Sequence, residues 1–202
     1  MRKIGSSSLK RRQKIFRVKF LPQEFLSAAN DLFGVLNKRR ILYMAVGALP
    51  VNVYGRERTS RDLDIAMTID KGMFRDLFPS SRYLLVYPDK IEEISRVAKV
   101  RDKRTGILID LLLSPEEFSF NKDSFKRRRK VLLGKRLGYI PSVEDYVISK
   151  LKAARAGSND FQDIISVMLK NSRKIDWRYL ERRARAENKL YLLNYYKELV
   201  RA

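Results

Sequence analysis

The stretch R-T-S-R-D-L-D-I, residues 58–65, decides the fold, because it begins an apolar strand with two carboxylates that lie two residues apart. Side chains alternate between the two faces of a strand, so Asp62 and Asp64 project together while Leu63 and Ile65 enter the core. The spacing therefore predicts a buried strand that presents two acidic groups from one face.

A third carboxylate, Asp110, interrupts the aliphatic run I-L-I-D-L-L-L at residues 107–113. The run predicts a buried strand, where an unpaired ionised carboxylate would cost several kcal/mol. A bound dication removes that cost by neutralising the charge. Three carboxylates from neighbouring strands are the ligands that a pair of Mg²⁺ ions needs to hold a nucleoside triphosphate.

Each carboxylate also has a structural interpretation. Asp62 could lie in solvent, Asp64 could pair with Arg56 or Arg61, and Asp110 could form a buried ion pair. It is less probable that all three structural interpretations hold at once, with a glycine turn upstream at Gly47. The combination of the three carboxylates and this turn therefore favours the metal site.

Composition restricts the chemistry. The 202 residues are 45% apolar and contain neither Cys nor His, so thiol nucleophiles, histidine bases and Cys/His zinc sites are excluded. Oxygen ligands and a hard cation fit what remains. No apolar stretch is long enough to span a membrane, and no secretory signal is recognisable, so we expect a cytoplasmic protein. The lack of Cys and the abundance of Lys, Arg and Glu suggest a thermophile.

The formal net charge is +21. Such an excess favours a polyanionic partner, and contact with RNA or DNA phosphates is the preferred interpretation over a solvated basic surface. The basic residues occur in four blocks, at 10–12, 38–40, 126–130 and 182–183.

The chain divides into three parts by pattern. Residues 1–18 are predicted to be a basic flexible arm, 19–140 a mixed α/β (α+β) domain with its sheet flanked by helices, and 141–202 a C-terminal helical unit packed on it. Predicted helices cover about 16 residues from Pro22, then 48–54, 71–77, a short one near 91–95, and one from Pro115 into the basic cluster. Predicted strands cover 41–46, 62–67, 83–86, 97–101, 107–113 and an edge strand at 131–133. The helical unit is predicted to hold helices from 142 to about 155, over 160–169, from 176 and from about 189, with a break at 156–158.

The glycine turn and the carboxylates together resemble the DNA polymerase beta-like nucleotidyltransferase superfamily, whose pattern is h-G-[GS], then D-h-[DE]-h, then h-[DE]-h. The closer likeness is to small prokaryotic and archaeal stand-alone or toxin-type (AbiEii-like) members. Their G-G-x-A, Y/H-G and R-x-[ST]-x-D-x-D motifs are similar to residues 46–49, 54–55 and 58–64 here. A later P-S-x-E-D-x-x-x-x-K-L-x-A-x-R motif matches 141–155, and D-x-x-D matches 160–163.

The resemblance implies a nucleotidyltransferase-like fold with Asp62, Asp64 and Asp110 as catalytic residues and as ligands of two Mg²⁺ ions. Backbone N–H groups at Gly47 and Ala48 would suit a phosphate. Ala48 departs from the family's usual Gly or Ser.

Arg58, Ser60 and Lys150 complete the predicted binding set for the nucleoside triphosphate. Arg58 is a candidate phosphate clamp, although a surface ion pair would also explain it. Lys150 lies on the apolar face of its helix, where lysine is rare, so it would point towards the triphosphate or snorkel at the core rim. Asp160 and Asp163 are expected mainly as helix-start acids.

The resemblance therefore implies an enzyme that transfers NMP from an NTP to a hydroxyl of RNA, such as tRNA, or of a protein. It also admits a toxin role with an acidic antitoxin partner. The alternative is a weak or inactive relative that binds nucleic acid.

Overall fold

The protein was analysed as a computed structural model that describes residues 15–18, 21–153 and 159–201. Two sheets and a series of helices follow one another along these residues. The strands are β1 Phe16–Arg17, β2 Tyr43–Ala45, β3 Asp62–Met67, β4 Tyr83–Tyr87, β5 Val97–Asp102, β6 Leu108–Leu112, β7 Arg129–Leu133 and β8 Arg136–Ile140. The α-helices are α1 Gln23–Lys38, α2 Ala48–Tyr54, α3 Lys71–Leu77, α4 Lys122–Arg127, α5 Val143–Ala153, α6 Asp160–Asn171, α7 Trp177–Ala186 and α8 Leu190–Arg201.

The larger sheet has five strands in the order β2-β3-β6-β5-β4. Strands β3 and β6 are parallel, and the other pairs are antiparallel. A mixed sheet flanked by helices is the predicted α/β fold class, which is confirmed. The parallel pair lies side by side in the sheet and carries all three predicted carboxylates.

One face of this sheet forms the main core. Leu63, Ile65, Ile109 and Leu111 are at most 1% exposed and pack in one continuous apolar cluster, so the predicted alternation in β3 and β6 is confirmed. The opposite face is covered at one end, where Phe120 and Phe125 belong to a second, smaller cluster. The remaining members of that cluster are Met44, Val46, Ala66, Leu112 and Phe118. The other end of this face carries the carboxylates.

The smaller sheet differs from the prediction in the position of one strand and contains two strands that were not predicted. Its order is β1-β7-β8, so β7 is the middle strand and not an edge strand. Strand β8 was not predicted, and it forms a hairpin with β7. Strand β1 lies inside the stretch predicted as a flexible arm and pairs in parallel with β7. Residues 1–14 of that arm lie outside the described residues.

Most predicted helices and strands of the domain have the expected bounds, including α2, β3 and α3. The helix predicted from Pro115 is divided into a 3₁₀ turn over Pro115–Phe118 and α4, because Ser119 between them adopts a left-handed conformation with φ of 69°. The helix predicted near 91–95 is a single 3₁₀ turn over Ile91–Glu93.

After Pro141, the regular secondary structure in the described residues is helical and consists of α5, α6, α7 and α8. The predicted end of the first of these helices, near 155, and the break at 156–158 lie outside the described residues. Within the described ranges, no helix has both the length and the apolar character that a bilayer crossing requires.

A buried polar network anchors the helical unit to the domain. The Asp145 carboxylate, at 0% exposure, pairs with Arg183 at 2.8 Å and accepts hydrogen bonds from the hydroxyls of Ser124, Ser142 and Tyr179, each at 2.8 Å. The network explains the P-S-x-E-D motif in structural terms, because Ser142 and Asp145 hold α5 against α4 and α7.

Candidate active site

The three predicted carboxylates lie on one face of the parallel strand pair. Asp64 in β3 is the register partner of Asp110 in β6, and Asp62 pairs with Leu108 one step earlier on the same face. Neighbouring strands are about 4.8 Å apart, so the backbones of Asp64 and Asp110 are at that separation. Asp62 is exposed, whereas Asp64 and Asp110 are half-buried. The strand register thus places all three carboxylates on one patch.

Asp64 lies directly against the glycine turn. A Cβ atom built on Gly47 would lie 1.9 Å from Asp64 Oδ2, and Gly47 has a φ of 66° that favours glycine. The backbone N–H of Val46 donates to the Asp64 carbonyl at 2.8 Å. The glycine of the motif is therefore required both by its backbone conformation and by the space that the Asp64 carboxylate takes.

The Asp64 carboxylate is electrostatically unfavourable in its surroundings. Burial, first, and the negative charges of Asp110 and Asp62 together raise the pKa of Asp64 to about 6. Asp64 makes no ion pair within the described part of the chain, so the arginine partner considered for it is not found. Crowded carboxylates, of which Asp64 has no ion-pair partner among the described residues, are a setting in which a bound cation would be strongly favoured.

Asp110 has one satisfied and one unsatisfied oxygen. Its Oδ2 accepts from Lys99 Nζ at 2.7 Å, across the antiparallel β5–β6 pair in which Lys99 and Asp110 are register partners. Its Oδ1 is buried and has no hydrogen-bond partner among the residues that the structure describes. The ion-pair interpretation of Asp110 is thus correct for one oxygen only.

The oxygens of Asp62, Asp64 and Asp110 are of the type that ligates divalent cations. One of them, Asp110 Oδ1, is buried and has no hydrogen-bond partner among the described residues. No group of three or more acidic side chains in the described residues is arranged to hold a metal ion as it stands. Ligation by all three would require side-chain rotation, and a cation between Asp64 and Asp110 would compete with Lys99 for the Asp110 carboxylate. Binding of two Mg²⁺ ions is therefore left as a proposal.

Arg58 and Lys150 meet at a buried carboxylate of the helical unit. Asp163, at 0% exposure, accepts from Arg58 Nη1 at 2.6 Å and from Arg56 Nε at 3.0 Å. Lys150 Nζ lies 2.7 Å from Asp160 Oδ1 and 3.5 Å from Asp163 Oδ2. Asp160 and Asp163 therefore do more than begin a helix, because they form ion pairs with three cationic side chains: Arg56, Arg58 and Lys150.

This cluster of cations is close to the carboxylates of β3. The charge of Lys150 lowers the pKa of Asp64, which opposes part of the effect of burial. The cluster has one more positive than negative group, with Arg56, Arg58 and Lys150 opposite Asp160 and Asp163. A net positive group beside a metal-type carboxylate patch is suited to an anionic ligand.

The loop between α2 and β3 is held from both ends. Asn52 donates to the carbonyl of Arg58 at 2.6 Å and accepts from its backbone N–H at 2.8 Å. Ser60 Oγ donates to the carbonyl of Asp62 at 2.8 Å, so its hydroxyl fixes the start of β3. Ala48 begins α2 directly after Gly47 and is buried.

Sequence analysis missed four residues of this region as site residues. Lys99 could have been found from the alternation V-A-K-V-R-D in β5, which places it on the face opposite the core. Arg56, Asn52 and the buried, unpartnered hydroxyl of Tyr146 carry no signal in the sequence alone, because their roles depend on contacts between distant segments.

Comparison with family models assigns the class of the protein. Residues 37–200 match the model described as "Nucleotidyltransferase of unknown function (DUF6036)". The match covers most of the chain, so the protein belongs to this nucleotidyltransferase family. No curated protein matches the sequence significantly.

Solved structures of other proteins share the fold of this chain. ANT(2'')-Ia in complex with adenylyl-2''-tobramycin aligns with a TM-score of 0.57 at 12% identity, over 83% of this chain and 98% of that chain. The solution structure of the antibiotic-resistance factor ANT(2'')-Ia aligns with a TM-score of 0.55 at 11% identity, over 86% of this chain and 96% of that chain. An antigenic nucleotidyltransferase-like protein from Paracoccidioides brasiliensis aligns with a TM-score of 0.52 at 18% identity, over 72% of this chain and 75% of that chain. At these identities the likeness establishes the fold alone.

Proposed function

We propose that this protein transfers a nucleoside monophosphate from an NTP to a hydroxyl of an RNA acceptor, such as tRNA, with two Mg²⁺ ions bound by Asp62, Asp64 and Asp110. The observation that carries the proposal is the register of β3 and β6, which pairs Asp64 with Asp110 and leaves Asp110 Oδ1 buried and unpartnered. The family membership supports the nucleotidyl transfer at the coarser level.

The nucleotide would bind between the carboxylates and the helical unit. Arg58 and Lys150 are held near Asp64 by Asp163 and Asp160, and a triphosphate would compete for their donor groups. Arg58 offers a planar fork for bidentate phosphate contacts, and Lys150 offers a compact charge. The N–H groups at Gly47 and Ala48 would add neutral donors, and Ser60 would keep the loop in place.

In the reaction, an acceptor hydroxyl oxygen attacks the α-phosphorus, the bond from that phosphorus to the bridging oxygen breaks, pyrophosphate leaves and the hydroxyl proton passes to solvent. Mg²⁺ held by Asp62, Asp64 and Asp110 would lower the pKa of the acceptor hydroxyl and would neutralise charge on the leaving pyrophosphate. Arg58 and Lys150 would hold the triphosphate in line with the acceptor.

The net charge of +21 favours RNA as the acceptor. The neighbour ANT(2'')-Ia is seen with adenylyl-2''-tobramycin, but an amine-bearing small acceptor would be repelled by so basic a protein. A protein hydroxyl is the other acceptor that the chemistry permits.

The test is incubation with labelled NTPs, Mg²⁺ and total RNA, followed by separation of RNA and protein. We expect label in RNA with wild type, and a loss of at least 100-fold with Asp64→Asn, which keeps the shape of the side chain but removes a ligand charge. Asp89→Asn, at an exposed loop position, is the matched control and should transfer label normally. No transfer by wild type, or equal transfer by Asp64→Asn, would contradict the proposal.

An inactive relative that binds nucleic acid is the second candidate, and the Lys99–Asp110 pair favours it, because a lysine already neutralises one metal-type carboxylate. Calorimetry separates the two candidates. Binding of RNA without binding of Mg²⁺–NTP would select the inactive protein.

A toxin role in a cytoplasmic toxin–antitoxin pair, as in AbiEii-like proteins, is compatible with the transfer activity and is proposed as its biological setting. We expect expression of wild type to arrest growth and Asp64→Asn to relieve the arrest. An acidic protein encoded beside it would be the expected antitoxin.

A further inference from the structure

The carboxylate-bearing face of the larger sheet continues, open to solvent, across β5 and β4. We define the open-sheet patch as Leu84 and Tyr87 in β4 with Lys99 and Arg101 in β5. Leu84 and Tyr87 are each 52% exposed, and Arg101 is also exposed. An aromatic ring, an aliphatic group and two cations thus share one uncovered surface beside the candidate active site.

The strand register aligns this patch with the carboxylates in two rows. One row runs Tyr87, Lys99, Asp110, Asp64 from strand to strand, and the next runs Leu84, Arg101, Leu108, Asp62. With strands about 4.8 Å apart, Tyr87 lies about 10 Å from Asp110 along its row. The patch is therefore a direct extension of the site.

The cations of the patch keep free donor capacity. Lys99 Nζ has three N–H donors and uses one on Asp110. Arg101 uses Nη1 on the carbonyl of Gly106 at 3.1 Å. Guanidinium and ammonium groups beside an exposed tyrosine ring are the groups that bind the phosphates and bases of single-stranded nucleic acid.

We infer that the open-sheet patch binds the end of a single-stranded RNA acceptor, with a base stacked on Tyr87 and backbone phosphates on Arg101 and Lys99, so that the reacting hydroxyl lies over Asp110. The inference rests on the proposed function and identifies where its acceptor binds. Its positive charge matches a polyanion, whereas a second copy of this chain, itself carrying +21, would be repelled.

The test is fluorescence anisotropy with a short labelled single-stranded RNA, measured over a range of salt concentrations. We expect Tyr87→Ala to weaken binding on the order of 10-fold through lost stacking, with an unchanged salt slope. Tyr87→Phe should bind as wild type does. Arg101→Gln should weaken binding and lower the slope of log K against log salt by about 1.

Two variants outside the patch are the matched controls. Tyr191→Ala removes a tyrosine that is 71% exposed on α8, and Arg178→Gln removes an exposed arginine on α7. Both should leave RNA affinity within about 2-fold of wild type, apart from a small change in slope for Arg178→Gln. Patch variants that bind no worse than these controls would overturn the inference.

Transfer assays on the same variants separate this inference from the proposed function. If wild type labels RNA, the patch variants should raise KM for RNA while KM for the NTP stays unchanged. Unchanged KM for RNA would overturn the patch and leave the transfer activity standing. If wild type labels nothing but the patch variants still lose RNA binding, the patch stands and the proposed activity fails. Dimerisation of wild type that Tyr87→Ala abolishes would overturn the patch as an RNA site.

Discussion

At the scale of single residues, the candidate site depends on the contact between Gly47 and the carboxylate of Asp64. The turn that carries Gly47 has no room for a side chain, since a Cβ there would lie 1.9 Å from Asp64 Oδ2. Asp64 in turn is held at an elevated pKa by burial and by two other carboxylates. Both features are costly for a structural protein and useful for one that binds a cation.

Gly47→Ala is predicted to destabilise the protein by about 2–3 kcal/mol, because it adds both positive-φ strain and a clash with Asp64. Gly106→Ala is the matched control, since Gly106 has a φ of 74° but nothing within 4 Å of its Cβ position. Gly106→Ala should destabilise the protein by about 1–2 kcal/mol, because it adds only the strain of a positive φ. Urea unfolding measures both. Equal losses of unfolding free energy in the two variants would contradict this prediction, because they would show that the Asp64 side chain moves away from the added methyl group without an energetic cost.

Asp64→Asn is predicted to stabilise the metal-free protein at neutral pH. The pKa of Asp64 in the folded protein is raised from an ordinary 3.8 to about 6, so its contribution to stability is present at low pH and is lost as the pH rises through about 6. The amide has no charge to bury, so we expect a gain on the order of 1 kcal/mol at neutral pH that disappears below about pH 4.

Urea unfolding in the presence of a chelator at several pH values checks this, with Asp89→Asn as the control for loss of one negative charge. A stabilisation that is the same at every pH, or no stabilisation, would contradict the raised pKa.

At the scale of secondary-structure elements, the helical unit is held by buried charge. Arg183, in α7, donates to Asp145 in α5 at 2.8 Å and to the carbonyl of Ser119 at 2.6 Å, and it is 6% exposed. Removing one partner of such a pair leaves an uncompensated charge in the interior. The same logic applies to Asp163, which holds Arg56 and Arg58 between the loop before β3 and α6.

Arg183→Met is predicted to cost about 3–5 kcal/mol in unfolding free energy, because Asp145 would lose its cation while remaining buried. Arg182→Met changes the neighbouring exposed arginine and should cost less than about 1 kcal/mol. Chemical denaturation of the two variants makes the comparison. Similar costs would mean that the hydroxyls of Ser124, Ser142 and Tyr179 suffice to hold the Asp145 charge.

For the molecule as a whole, the sequence was sufficient to predict the carboxylate-bearing strands and insufficient to predict their neighbours. Strands β3 and β6 were predictable because alternating or aliphatic residues surround their carboxylates. Strand β8, R-L-G-Y-I, was missed because its short pattern mixes Arg and Gly with apolar residues, and its burial depends on contacts with α1 and β2, which are distant in the sequence.

The candidate site was predictable as a set of residue types and not as a set of contacts. The pairing of Lys99 with Asp110 follows from the register of β5 with β6, which local sequence does not specify. The basic block at 126–130 shows the same limit: Arg127 lies 3.9 Å over the ring of Tyr179, and Arg128 lies 4.4 Å over that of Tyr139. Part of what was expected to contact nucleic acid therefore packs against the protein itself.

The most direct test of the central claim is the position of Mn²⁺ ions in crystals grown with Mn²⁺ and a non-hydrolysable NTP, located by their anomalous scattering. The account predicts a cation between the carboxylates of Asp64 and Asp110, with Asp62 in reach of it, and Lys99 displaced from Asp110 Oδ2. Density for the nucleotide with no cation at these carboxylates, or a Lys99–Asp110 pair that persists beside bound nucleotide, would contradict it.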